Sequence, residues 1–225
     1  MKRVLVIGAH PDDEVLGAGG TIRRHVLAGD DVHVLLVCEG TTVRYAGMRE
    51  QPDQESQARR AAEILGVKSV TYWGLEDQRL DRMSQIDLNR RIEAHLDVIR
   101  PAAVFTHFRG DLNRDHQIVA DAVAVATRPS RKWIQEVYAF EIPTTTGLLP
   151  GEHFEPDYFV DISDSLDVKL SALACYDTEI TTFPHPRSPQ ALRARAQAWG
   201  SKFQLQAAEP MMTVWRAWRN TNESS

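Results

Sequence analysis

Disulfides, membrane spans and nucleic-acid binding find little support in this chain. Its two cysteines, Cys38 and Cys175, stand far apart with no CxxC spacing, which argues against a disulfide framework and a Cys-rich zinc site. No apolar run approaches the ~20 residues needed to span a bilayer. The opening MKRVLVIGAH sets two basic residues before an apolar run too short for a signal sequence, and acidic residues follow at once. It reads as a first strand, and the expected location is the cytoplasm. The formal charge of −5 opposes the basic footprint of general nucleic-acid binding. The pairs Arg23-Arg24, Arg59-Arg60 and Arg90-Arg91 read as solvated helix faces. Internal repeats and linkers are also lacking, so residues 1–219 are expected to form one domain, with 220–225 a frayed polar tail.

What is present is an alternation. Strand-like runs at Arg3–Gly8, Asp31–Cys38, Ser69–Trp73 and Ala102–Thr106 are followed by helical patterns near Glu14–Leu27, Gln54–Leu65, Ile86–Ile99 and Arg114–Ala126. Gly66 is a natural C-cap and Pro101 a stop. Further strands are expected at Glu136–Ile142 and Tyr158–Asp161, and helices at Ser165–Tyr176 and Pro189–Trp199. This order predicts an α/β fold, a Rossmann-like three-layer sandwich with a mainly parallel sheet and helices on both faces. Met211, Met212, Trp215 and Trp218 are expected to pack against the core, with a homo-oligomer contact as the second reading. Irregular stretches at 39–52, 143–156 and 183–189 are candidate functional loops.

The strongest chemical signal is Gly8-Ala9-His10-Pro11-Asp12-Asp13-Glu14, directly after the first strand. Loops leaving the carboxyl ends of strands form the ligand crevice of an open α/β sheet, and His and Asp suit a borderline metal such as Zn2+. His10 and Asp13, three apart, can face one point, which leaves Asp12 to face a reacting water. Helix capping would explain one aspartate but needs neither His10 nor the second carboxylate. Gly17, Gly19 and Gly20 inside the following helix suggest close packing or a close ligand. A second polar cluster, His107 to His116, leaves the fourth strand on the same sheet edge. His116 is the choice for a third ligand and His107 its rival, with Asp111, Asn113 or Asp115 available to steady the imidazoles.

Together these segments resemble the LmbE/PIG-L family of zinc-dependent de-N-acetylases. The resemblance extends from AHPDDE through AAEILGV and NRDH to the C-terminal order VDIS, Lys, Tyr, PHPRS. It implies His10, Asp13 and His116 as metal ligands, Asp12 as general base and Asp115 as the supporting carboxylate of an HxDH pattern. Asn113 stands where that pattern has its first histidine, and asparagine cannot supply a proton at neutral pH. The implied activity is removal of an N-acetyl group from an N-acetylglucosamine-type small molecule. His185, between two prolines, is a candidate acid. Arg187, Asn113, Arg49, Arg109 and Arg44 are candidate substrate contacts.

Three rivals are weaker. A dinucleotide module needs GxGxxG at the first turn, where this chain has His-Pro-Asp-Asp. A two-metal phosphoesterase needs more ligands than are evident. A structural zinc in a scaffold protein is normally closed by four protein ligands, and three are identified here. Another divalent ion, or another amide or ester, remains compatible with the same residues.

Overall fold

A computed structural model describes residues 1–42, 47 and 51–218. The chain begins with β1 (Arg3–Gly8), whose last five residues are buried, as befits a strand covered on both faces. It continues through α1 (Asp13–Leu27), β2 (Asp31–Cys38), α2 (Gln54–Leu65), β3 (Ser69–Leu75), α3 (Gln85–Ile99), β4 (Ala103–His107), α4 (Arg114–Ala126) and β5 (Glu136–Phe140). After these come β6 (Tyr158–Asp161), α5 (Leu166–Leu173), α6 (Pro189–Ser201) and β7 (Ala208–Arg216).

Among the described residues, seven strands form one sheet in the order β3-β2-β1-β4-β5-β7-β6. The first five are parallel and β7 runs antiparallel to both its neighbours. The order reverses between β1 and β4, and at that switch point the loops after their carboxyl ends part to leave a crevice. His10 and His116 both lie just beyond it. One apolar cluster, with Ile22, Leu65, Phe140 and Tyr176, packs α1, α2 and α5 on one face. A second, with Leu88, Ile92, Val119 and Val123, packs α3 and α4 on the other. The expected three-layer α/β fold is the observed one.

Local chemistry explains several boundaries. Asp53 accepts the Ser56 N–H at 2.9 Å to cap α2, and Gly66 ends it at φ +82°. The helix expected to reach Tyr176 stops at Leu173. Tighter turns follow it, with Tyr176 N–H bonding Leu173 O and Glu179 N–H bonding Tyr176 O, each at 2.9 Å. The β5 ladder ends at Phe140, two residues before the expected Ile142, where the Ile142 N–H turns to Thr146 Oγ1.

The sequence pattern missed β7, which holds Pro210 and lacks clean alternation. Its ladder with β6 covers Ala208–Met211 and its ladder with β5 covers Met211–Arg216. Pro210 therefore sits where β7 is paired on one side only, and its missing N–H breaks no second ladder. Met211 is fully buried and Trp215 packs against the second cluster, as expected, whereas Trp218 is 97% exposed. The glycines of α1 serve packing. A Cβ on Gly17 would lie 2.2 Å from the Phe140 ring, and one on Gly20 would lie 2.6 Å from Ile162.

Candidate metal and catalytic site

The turn between β1 and α1 builds the centre. Asp13 Oδ2 accepts the His10 N–H at 2.7 Å, which fixes the turn and aims the carboxylate back at the His10 ring. Asp12 sits at φ +101°, a region that non-glycine residues rarely enter. Its side chain makes no capping hydrogen bond to α1. The strain thus holds a buried carboxylate toward the crevice instead of serving the helix.

His10 Nδ1, Asp13 Oδ2 and His116 Nε2 form a nearly equilateral triangle. The separations are 3.2 Å between the two nitrogens and 3.4 Å from each nitrogen to the oxygen. Ligand bonds of about 2.0–2.1 Å in tetrahedral geometry imply ligand–ligand distances of about 3.3–3.4 Å, so these three atoms fit one divalent ion such as zinc. Carboxylates hold the far nitrogens. Asp115 Oδ2 lies 3.1 Å and Asp77 Oδ1 3.0 Å from His10 Nε2, while Asp111 Oδ1 lies 3.1 Å from His116 Nδ1. With an ion in the triangle, these partners would take the ring protons and leave the inner nitrogens free to bind it. Asp111 also accepts from Thr145 and Thr146, tying the 143–156 stretch to the loop after β4.

The electrostatics call for a cation. Burial opposes charge on His10, yet Asp115, Asp13 and Asp77 outweigh it and hold its pKa well above the usual value. His116 is raised in the same way, with Asp13 and Asp111 overcoming burial. Burial would raise Asp13, but His116, His107 and His10 hold it well below the carboxylate range. Asp12 is pushed well above that range by burial, against the pull of Arg187. His107, the rival ligand, is engaged elsewhere. Its Nε2 accepts the Ala9 N–H at 2.8 Å and its ring stacks on His116 at 4.0 Å, while burial pushes its pKa down to about 4. A second trio, His10, Cys38 and Asp115, is also close. There the His10 nitrogen is already bonded to Asp115, and burial raises the Cys38 thiol, which opposes the thiolate form a ligand needs.

A cavity of about 330 Å³ opens beside the triangle, lined by His10, Asp12, Gln54, Asp77, Glu179 and Arg187 among others. Of the expected substrate residues, Arg187 is there, its Nη1 3.1 Å from Asp12 Oδ2 and 2.5 Å from Glu179 Oε2. His185 is exposed, and its Nδ1 accepts the Arg187 backbone N–H at 3.1 Å. Asn113 caps α4 by accepting the Asp115 N–H at 2.9 Å, so its carboxamide serves the helix. Arg109 is on the surface, paired with Asp121 at 2.5 Å and 74% exposed. Arg49 and Arg44 lie outside the described residues. Sequence reasoning missed Gln54, Asp77, Gln78 and Glu179. Asp77 and Gln78 follow β3 on the same sheet edge and were accessible to the strand-exit argument, whereas Glu179 carried no local signal.

A family model described as GlcNAc-PI de-N-acetylase, PIG-L, matches residues 5–127. The chain is 28% identical over 190 residues to diacetylchitobiose deacetylase of Thermococcus kodakarensis, covering 80% of this chain and 70% of the relative. It is 28% identical over 189 residues to a probable N-acetyl-alpha-D-glucosaminyl L-malate deacetylase 2 of Bacillus cereus, covering 79% and 84%. The fold matches the conserved protein TT1542 from Thermus thermophilus at a TM-score of 0.79 and 23% identity, covering 100% of both chains. It also matches the 4-carboxy-2-hydroxymuconate hydratase of Pseudomonas putida at a TM-score of 0.76 and 24% identity, covering 98% and 99%. With more than half its length matched by the family model, this chain belongs to the PIG-L, or GlcNAc-PI de-N-acetylase, family.

Proposed function

We propose that this protein is a zinc-dependent hydrolase that removes the acetyl group from the nitrogen of a small N-acetylated amino sugar. The observation that carries this reading is the His10–Asp13–His116 triangle with the buried carboxylate of Asp12, next in sequence to Asp13, in the wall of the adjoining cavity. A divalent ion bound there would act as a Lewis acid on the acetamide carbonyl and lower the pKa of the attacking water. Asp12 accepts the proton of that water at its carboxylate as the new C–O bond forms. It then returns the proton to the nitrogen as the C–N bond breaks, since an unprotonated amide nitrogen is a poor leaving group. His185 orders the loop that carries Arg187, and Asp115 and Asp111 keep the ligand rings turned inward. The named deacetylase relatives support the acetamide and the amino sugar.

The test is acetate release from a panel of N-acetylated amino sugars by zinc-loaded wild type and Asp12→Ala. Wild type should release acetate, and Asp12→Ala should retain its metal and lose at least about 10²-fold in rate, as expected for a general base. Water addition to 4-carboxy-2-hydroxymuconate, with no release of acetate from any sugar, would replace this reading with a hydratase. A chain that binds no divalent metal would refute it.

A further inference from the structure

Arg187 has a geometry that substrate binding alone does not explain. Its Nη1 contacts two carboxylates, at 2.5 Å to Glu179 and 3.1 Å to Asp12. Its Nε is buried and has no hydrogen-bond partner among the described residues. An unpaired buried donor is costly, and the residue that carries it lines the cavity. Among the described residues lining the cavity, Arg187 is the only Lys or Arg. Glu179 is itself buried, and Gln54 Nε2 donates to it at 3.4 Å. The loop is firmly set. Pro184 and Pro186 flank His185, the Ser188 N–H bonds His185 O at 2.9 Å, and the Ser188 hydroxyl caps α6. Position 113, by contrast, spends its side chain on the end of α4.

We propose that Arg187, positioned by Glu179, is a catalytic residue that stabilises the oxyanion formed when water adds to the acetamide carbon. This rests on the deacetylase reading above. As the water oxygen bonds to carbon, the carbonyl π pair moves onto oxygen and the proton goes to Asp12. The Arg187 N–H groups meet that oxygen. When the pair returns, the C–N bond breaks and the nitrogen takes the proton from Asp12. A guanidinium suits this task because its charge is permanent and its donors form a rigid fork.

The experiment compares wild type with Arg187→Gln, Arg187→Lys, Arg187→Ala and Glu179→Gln in zinc-loaded protein. It reads metal content, the affinity for acetate by calorimetry and, with the best sugar from the panel, kcat and KM separately. Arg187→Gln should keep its metal, bind acetate at least about tenfold more weakly, and lose about 10²–10³-fold in kcat, the size found for a lost oxyanion donor, with KM changed less than about threefold. Arg187→Lys should recover less than a tenth of wild-type kcat, and added guanidinium should partly restore Arg187→Ala. Glu179→Gln should lower kcat less than Arg187→Gln and gain nothing from guanidinium. Acetate affinity and kcat near wild type in Arg187→Gln, a loss confined to KM, or full recovery by Arg187→Lys would each overturn the proposal. If wild type holds its metal and releases no acetate from any sugar, the deacetylase reading fails. Acetate affinity still decides Arg187, and equal affinity in wild type and Arg187→Gln, or none in either, overturns its role.

Discussion

Glu14 shows how much carboxylate this centre concentrates. It is 3% exposed, accepts the Tyr176 hydroxyl at 2.5 Å and the Asp12 N–H at 3.2 Å, and burial nevertheless pushes its pKa up to about 7. An unfolded glutamate loses its proton near pH 4.5. Between these values the folded state holds the extra proton, so raising the pH through this window costs stability. The full effect is about 3 kcal/mol at about 1.4 kcal/mol per unit. Urea unfolding of metal-free protein from pH 4.5 to 7.5 should show this fall in wild type and a flatter profile in Glu14→Gln. Parallel profiles would show that Glu14 titrates normally. The side chains that AHPDDE supplies were legible in the sequence because the turn is local. The pairing of Glu14 with Tyr176 was not, since a contact 162 residues apart leaves no local mark.

At the scale of elements, α1 carries Asp13 of the site and also a tight fit to the sheet. Gly17 faces the ring of Phe140 in β5, and Lys169 of α5 reaches into α1, bonding Leu16 O at 2.8 Å and Glu209 Oε1 at 2.6 Å. Glu209 comes from β7 and also accepts the N–H groups of Gly20 and Thr21. Helix propensity favours Gly17→Ala by about 1 kcal/mol. The ring contact should outweigh it, because overpacking a core costs about 1–3 kcal/mol. A lower melting temperature for Gly17→Ala, recovered in part by adding Phe140→Leu, would verify this, and a higher one would mean that the ring moves aside. The glycines could be read in the sequence as a demand for closeness. Whether a ligand or a neighbouring strand met the demand depended on where β5 and β6 lie.

For the molecule as a whole, the centre sits at the carboxyl edge of the sheet, and the apolar core fills its two faces. The two large apolar clusters lie on opposite faces of the sheet and bury side chains from every layer without needing an ion. Chelation should therefore lower the melting temperature and leave the protein folded, unlike a small domain whose metal provides its folding energy. At a free zinc concentration of 100 Kd the ion adds about 2.7 kcal/mol. Calorimetry with and without chelator, alongside far-UV circular dichroism at 25 °C, checks both parts. Loss of helix on chelation would mean that the ion holds the fold together.

The sequence by itself determined the strand–helix alternation, the parallel sheet and the placement of AHPDDE and NRDH at strand exits. Each of these depends on periodicity, caps and turns written within a few neighbouring residues. Tertiary structure decided what depends on distant segments meeting. It threaded β7 between β5 and β6, a place that Pro210 tolerates because β7 is paired on one side there. It turned His116 inward and His107 onto the Ala9 N–H, although His107 ends β4 and His116 follows in the next helix. It brought Glu179 and Arg187 to Asp12 from the far end of the chain, where no spacing rule links them. The physical reason is that a carboxylate or an imidazole acquires its role from the charges and donors that surround it, and here those come from other elements.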